Sequence, residues 1–169
     1  MGRGSANGTV KMGSGRSVSS SLLLLISLLH HPCCLYLPTM LWLFVALGGL
    51  VGSLARYFLG TAVQGWVGAG FPAGTMVVNI SASFLIGIIM QYSVESSALS
   101  PEIRILLTTG FCGGYSTFSS FSWESVRLLQ DGEWGRAAFY VGGSLFVSLA
   151  ATFLGIAAAH RFITLRRTG

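Results

Sequence analysis

The sequence predicts an all-α integral membrane protein of four spanning helices. First, only 9% of the 169 residues are charged, 52% are hydrophobic and the mean hydropathy is +0.70. A soluble domain carries about 25% charged residues, so this chain has too few to cover a water-facing surface. Second, the apolar residues fall into four long runs, and about 20 residues rising roughly 1.5 Å each cross a hydrocarbon core about 30 Å thick. Third, the connections are short, which leaves no room for a separate catalytic module. A unit of this size is too small to enclose a pore alone, so oligomerisation is expected.

Residues 1–39 differ from the rest. The stretch through Ser21 is rich in Gly and Ser, with scattered Lys11 and Arg16, and reads as disordered. Leu22 to Leu29 is an apolar run too short to span, closed by His30-His31-Pro32. A basic prelude before an apolar run has the look of a signal peptide, but no convincing small-residue cleavage site follows. Two readings stand: Met40 is the functional start, or residues 1–39 are a targeting extension. The membrane-spanning part is residues 40–169 in either case.

The first span runs from about Leu41 to Leu59, with Arg56 near its far end, and Gly60 to Gly70 is expected to be a Gly-rich connection. The second, about Ala73 to Tyr92, is uncharged and holds one strongly polar residue, Asn79. Ser93 to Pro101 reads as a polar turn containing Glu95. Pro101 suits a helix start, with Glu102 favourable in the first turn. The third span, about Ile103 to Leu128, has an irregular Gly-rich centre over residues 110–117 and is closed by Asp131-Gly132-Glu133. The fourth, Ala137 to Ala159, is 23 residues without a charge, flanked by Arg136 and by His160-Arg161.

Net charge is +5 and the pI near 9.6, but the basic residues punctuate apolar runs and never cluster on an aromatic-rich polar surface, which argues against nucleic acid. Counted from Met40, Arg104, Arg161, Arg166 and Arg167 share one side of the membrane and Arg56, Arg127 and Arg136 the other. That near balance is almost no positive-inside bias and allows insertion in both orientations. Arg3, Lys11 and Arg16 would break the tie if residues 1–39 are retained. Cys33, Cys34 and Cys112 lack metal-ligand spacing and imply no disulfide framework. The adjacent pair Cys33-Cys34 is either inert or palmitoylated.

Gly48-Gly49, Gly52 and Ser53 in the first span sit at spacings that let helix backbones approach closely, as do Gly74 and Ser81-Ala82-Ser83 in the second. An amide at mid-span is costly unless bonded, so Asn79 either makes an interhelical hydrogen bond or lines an ion path. In the third span, Gly110, Gly113 and Gly114 favour a broken helix, and Ser116 and Thr117 can bond the released backbone groups. Freed carbonyls at membrane depth make a cation site, the alternative being a Gly-rich packing face. Phe118 and Phe121, spaced i, i+3 among Ser119, Ser120 and Ser122, either contact lipid or core, or turn positive ring edges toward a small anion. In the fourth span Tyr140, Ser144, Ser148 and Thr152 recur every four residues and form one hydroxyl stripe, read as a polar track.

Together these residues resemble the CrcB/Fluc family of fluoride channels. The segments that carry the likeness are GGLVGSLARY from Gly48 to Tyr57, GTMVVN from Gly74 to Asn79, and GFCGGYSTFSSFS from Gly110 to Ser122. It covers residues 41 to about 160, and the third-span motif is highly specific. The resemblance implies an antiparallel, dual-topology homodimer with two fluoride pores, or pairing with an oppositely oriented paralogue, in a bacterial-type plasma membrane. It implies that Asn79 is the pore amide, that Phe118 and Phe121 form an aromatic box shared between subunits, and that Thr117 lies with them on the pore. Gly113 and Ser116 would offer backbone carbonyls to a structural Na+ ion at the dimer axis. Tyr140, Ser144, Ser148 and Thr152 match the family's polar track, Arg56 its first-helix arginine and Glu124 its third-helix acid. Ser116 and Ser120 stand where Thr is commoner, and Ser81-Ala82-Ser83 varies the usual Gly-Ser pattern. The implied activity is passive export of fluoride, which lowers its cytoplasmic level.

Two other classes compete. A dual-topology exporter of organic cations wants an intramembrane carboxylate, yet the first span holds none and Glu124 lies toward the end of the third. A structural membrane subunit would leave the hydroxyl stripe an accident. No nucleophile–base pair or metal cluster points to an enzyme.

Overall fold

The computed structural model describes residues 41–96 and 99–168. The expectations placed on residues 1–39, including Cys33, Cys34 and the start at Met40, lie outside the described residues. Every regular element among the described residues is helical: α1 (Leu41–Val67), α2 (Ala73–Ser96), α3 (Pro101–Ile105), a π-helical segment π1 (Leu106–Cys112), α4 (Gly113–Tyr115), α5 (Phe118–Gln130) and α6 (Trp134–Thr168). The helices α1, α2 and α6 are each long and apolar enough to cross a membrane. The remaining run is a series of shorter pieces.

The first helix is two turns longer than expected, because Gly60 and Gly65 are accommodated within it. Gly68, just past its end, adopts a positive φ of 85°, and it is there that the chain turns. Gly60 instead lets α2 approach: a Cβ on Gly74 would lie 2.5 Å from the Gly60 carbonyl oxygen. The longer helix moves Arg56 from the expected end of a span to the body of α1. The turn is pinned by Gln64, whose amide donates to the Gly68 carbonyl, donates to the Phe71 carbonyl at 2.9 Å, and accepts from the Gly74 N–H at 3.2 Å.

The second helix also overruns its expected end and takes in Glu95. There the Gln91 amide donates to Glu95 at 2.5 Å and the His160 Nδ1 lies 2.8 Å from the same oxygen, tying the end of α2 to α6. Pro101 opens α3 as anticipated, with Ser100 capping the Ile103 N–H at 3.4 Å. The backbone N–H of Glu102 and the Ser100 hydroxyl hold the Glu102 carboxyl below the usual carboxylate range. The final helix, α6, has 35 residues and is about 52 Å long. It carries Arg161 and Arg166 past any hydrocarbon core.

Glycine governs the packing. A Cβ on Gly48 would lie 2.3 Å from the Leu106 carbonyl oxygen, and one on Gly52 2.2 Å from that of Phe111, so α1 lies backbone to backbone on π1. Likewise a Cβ on Gly87 would meet the Thr152 carbonyl at 2.4 Å, and one on Gly155 the Phe84 carbonyl at 2.2 Å, bringing α2 onto α6. Without water to drive apolar association inside lipid, close backbone contact of this kind supplies the dispersion energy. Two small buried cores form elsewhere: Val78 and Ala82 of α2 with Tyr115 of α4, and Leu128 of α5 with Ala137 and Tyr140 of α6.

Candidate functional site

The irregular centre of the third span is present, but its break falls just beyond the glycines. Gly110 and Gly114 belong to the close contact with α1, whereas the helix opens at Ser116 (φ −75°, ψ 158°) and Thr117 (φ −148°, ψ 111°). Thr117 then caps the next helix, its Oγ1 accepting from the Ser120 N–H at 3.3 Å.

What holds the break open is Asn79. Its Nδ2 donates to the Thr117 carbonyl at 3.1 Å, and its Oδ1 accepts from the Thr117 N–H at 2.8 Å. One side chain thus satisfies both backbone groups of a residue that is buried, the requirement for irregular backbone at membrane depth. The two open alternatives for Asn79 are therefore not exclusive: one amide N–H and the carbonyl are committed to Thr117, and the second N–H is left over.

The diverted donors release particular carbonyls. In a continuous helix the Thr117 N–H would bond the Gly113 carbonyl and the Ser120 N–H that of Ser116. Here those donors go to Asn79 and to Thr117 Oγ1. Gly113 and Ser116 also border a cleft of about 260 Å³ beside the break, with Cys112 and Ser83. No group of three His, Cys, Asp or Glu that could hold a metal occurs among the described residues. A cation here would rest on backbone oxygen, the donor type that suits a hard ion.

An adjoining cleft of about 270 Å³, which shares Ser116 with the first, brings together Asn79, Thr117, Phe118, Phe121, Ser144 and Ser148. No charged residue lines it. The Phe118 and Phe121 rings lie 5.7 Å apart and tilted by 39°, with Phe118 79% exposed. Ser144 is buried and its Oγ has no hydrogen-bond partner, a costly state for a hydroxyl. Ser83, on the turn after Asn79, also lines this cleft. From the sequence alone Ser83 reads only as part of the Ser81-Ala82-Ser83 packing motif.

The hydroxyl stripe of α6 does face inward, between exposed Val141, Leu145, Phe146 and Phe153. Its members part company, however. Thr152 lies outside the cleft and bonds the Ser148 carbonyl of its own helix at 3.1 Å. Tyr140, fully buried, donates to Glu124 Oε2 at 2.6 Å while the Thr75 hydroxyl donates to Glu124 Oε1 at 2.8 Å. Its ring lies 5.3 Å from that of Phe121, which links this junction to the aromatic pair. Thr75 was not anticipated, although its place one helical turn before Asn79 puts both on one face. Arg56 and Glu124 line a third cleft, of about 440 Å³, with Thr75 and Thr117. They form no ion pair among the described residues.

Residues 43–156 match the family model described as CrcB-like protein, Camphor Resistance (CrcB). The chain is 54% identical over 114 residues to a fluoride-specific ion channel FluC of Thermus thermophilus, covering 68% of this chain and 90% of that protein. It is 51% identical over 116 residues to the FluC of Geobacter metallireducens, with 69% and 94% covered. Against the FluC of Solibacter usitatus it is 47% identical over 122 residues, with 72% and 100% covered.

Proposed function

The chain belongs to the CrcB family, and from that membership we propose that it is a fluoride-selective channel of the bacterial cell membrane, giving passive export that lowers cytoplasmic fluoride. The observation that carries the mechanism is the uncharged cleft where Asn79, the two phenylalanines and the serines of α6 converge. Fluoride is small and strongly hydrated, so a selective path must replace its water at close range without binding it too tightly for release. The spare Asn79 N–H, the unpartnered Ser144 hydroxyl and the edges of Phe118 and Phe121 are donors of that kind. Ser148 continues the track along α6, and Tyr140 with Glu124 and Thr75 terminates it toward the α5–α6 turn. Thr117 shapes the wall, Thr152 extends the stripe, and Arg56 places a cation beside the path.

The working unit in this reading is an antiparallel, dual-topology dimer of the domain formed by residues 40–169. The near balance of arginines on the two sides supports it, as does Phe118, too exposed in one copy to act as half of a closed box. The released carbonyls of Gly113 and Ser116 fit a sodium ion shared between copies. When bound there, sodium would supply a fixed positive potential and fasten the interface.

Purified protein in liposomes tests the reading: with a potassium ionophore clamping the voltage, fluoride efflux is expected to run far faster than chloride efflux. Equal rates would remove the selectivity, and no efflux at all would remove the channel.

A further inference from the structure

The end of the molecule that carries the α1–α2 and α5–α6 turns holds a cleft of about 460 Å³, reaching from Glu124 outward to Arg127, Asp131, Glu133 and Arg136. Glu124 is the acid bonded by Tyr140 and Thr75, and in the reading proposed above this cleft is the mouth of the path. Its formal charge is unfavourable for an anion, since three carboxylates face two guanidiniums. Arg127 is loosely engaged, its Nε lying 3.9 Å from Asp131 with both side chains well exposed. Arg136 is fixed: its Nη1 donates to both Glu133 oxygens at 2.9 Å and to the Gly70 carbonyl at 3.4 Å, which bridges the two turns across the mouth. All of these contacts use one nitrogen. The Nη2 and Nε donors bond no described residue, and Arg136 lines the cleft.

We propose that Arg136 is the anion-docking residue of this mouth, held in position by Glu133 and the Gly70 carbonyl, and that it sets the rate at which fluoride reaches the uncharged cleft. The proposal rests on the fluoride-channel reading. A cationic group fixed at a cleft wall attracts the opposite ion, and that attraction falls with ionic strength. Glu133 both positions Arg136 and cancels part of its field, so the two residues have opposite effects on supply.

The test measures fluoride efflux from liposomes containing the full chain, at sub-saturating fluoride, in about 10 mM and about 1 M impermeant salt, where the screening lengths are roughly 30 and 3 Å. Arg136→Gln is expected to lower efflux several-fold at low salt and less than twofold at high salt. Arg136→Lys should keep most of the rate, and Glu133→Gln should raise it at low salt only. A purely structural role for Arg136 would lower efflux equally at both salt concentrations, and that result, or wild-type efflux in Arg136→Gln at low salt, overturns the proposal. If Arg136→Gln fails to fold, Glu133→Gln decides, and absence of a rise at low salt overturns it. A wild-type protein inert toward fluoride overturns the channel reading and takes this inference with it, whereas a conducting wild type with salt-independent variants overturns this inference alone.

Discussion

Alanine at Gly52 would set a Cβ 2.2 Å from the Phe111 carbonyl oxygen and 2.9 Å from the Tyr115 amide nitrogen, where ordinary contact begins at 3.4 Å. The difference, 3.4 − 2.2, requires a retreat of about 1.2 Å. Both neighbours are backbone atoms, so no side-chain rotation absorbs it, and α1 must separate from π1 and α4. Overpacking of this kind costs about 1–3 kcal/mol, and the rigidity of both partners puts Gly52→Ala at the upper end. Gly65 in the same helix has nothing within 4 Å of the equivalent Cβ, so Gly65→Ala should gain up to about 1 kcal/mol from helix propensity. Melting in detergent, followed by size-exclusion profile, is expected to fall for Gly52→Ala and hold or rise for Gly65→Ala. Fluoride efflux should fall with the first, because π1 and α4 lead directly into the Thr117 break. Full stability and full efflux in Gly52→Ala would refute the claim that this backbone contact positions the break.

Ser144→Ala removes a buried hydroxyl that makes no hydrogen bond, so melting should be unchanged or improved by about 1 kcal/mol while efflux drops at least several-fold; a loss of stability would show that the hydroxyl has a partner. Ser125→Ala is the contrasting case, since that hydroxyl bonds the Phe121 carbonyl at 2.6 Å, and a loss of about 1 kcal/mol is expected in the same melt. Asn79→Leu leaves the Thr117 N–H and carbonyl unpaired, which should cost about 2–4 kcal/mol by melting. Asn79→Asp keeps the acceptor for the Thr117 N–H and should lose less. Phe118→Ile should impair efflux with melting of the single chain little changed, because that ring is 79% exposed.

Much of this was legible because it depends on period and composition. A four-residue recurrence on an apolar helix fixes which side chains share a face, so the inward stripe from Tyr140 to Thr152 could be read directly, and a Gly-rich run ending in Ser116-Thr117 located the irregular segment to within a few residues. Pairings across the chain were not legible. The bonds from Asn79 to Thr117 and from Thr75 to Glu124 span 38 and 49 residues, and no local pattern encodes them. Glycine misled at the end of α1, where Gly60 serves a helix crossing instead of a loop. The identical residue type has two uses, and only the neighbouring helix decides between them. Thr152 shows the limit of the stripe argument: its position is right, yet its hydroxyl folds back on its own helix.

The discontinuity at Ser116-Thr117 has an electrostatic consequence. Because α5 starts partway along the span, 13 residues of aligned peptide dipoles present their amino end beside Phe118, and such a terminus is equivalent to roughly half a positive charge. A helix running unbroken from Pro101 to Gln130 would have kept that end at the water boundary, where solvent screens it. Interrupting the chain here gives a passing anion an attractive field at the depth where a lysine or arginine would trap it.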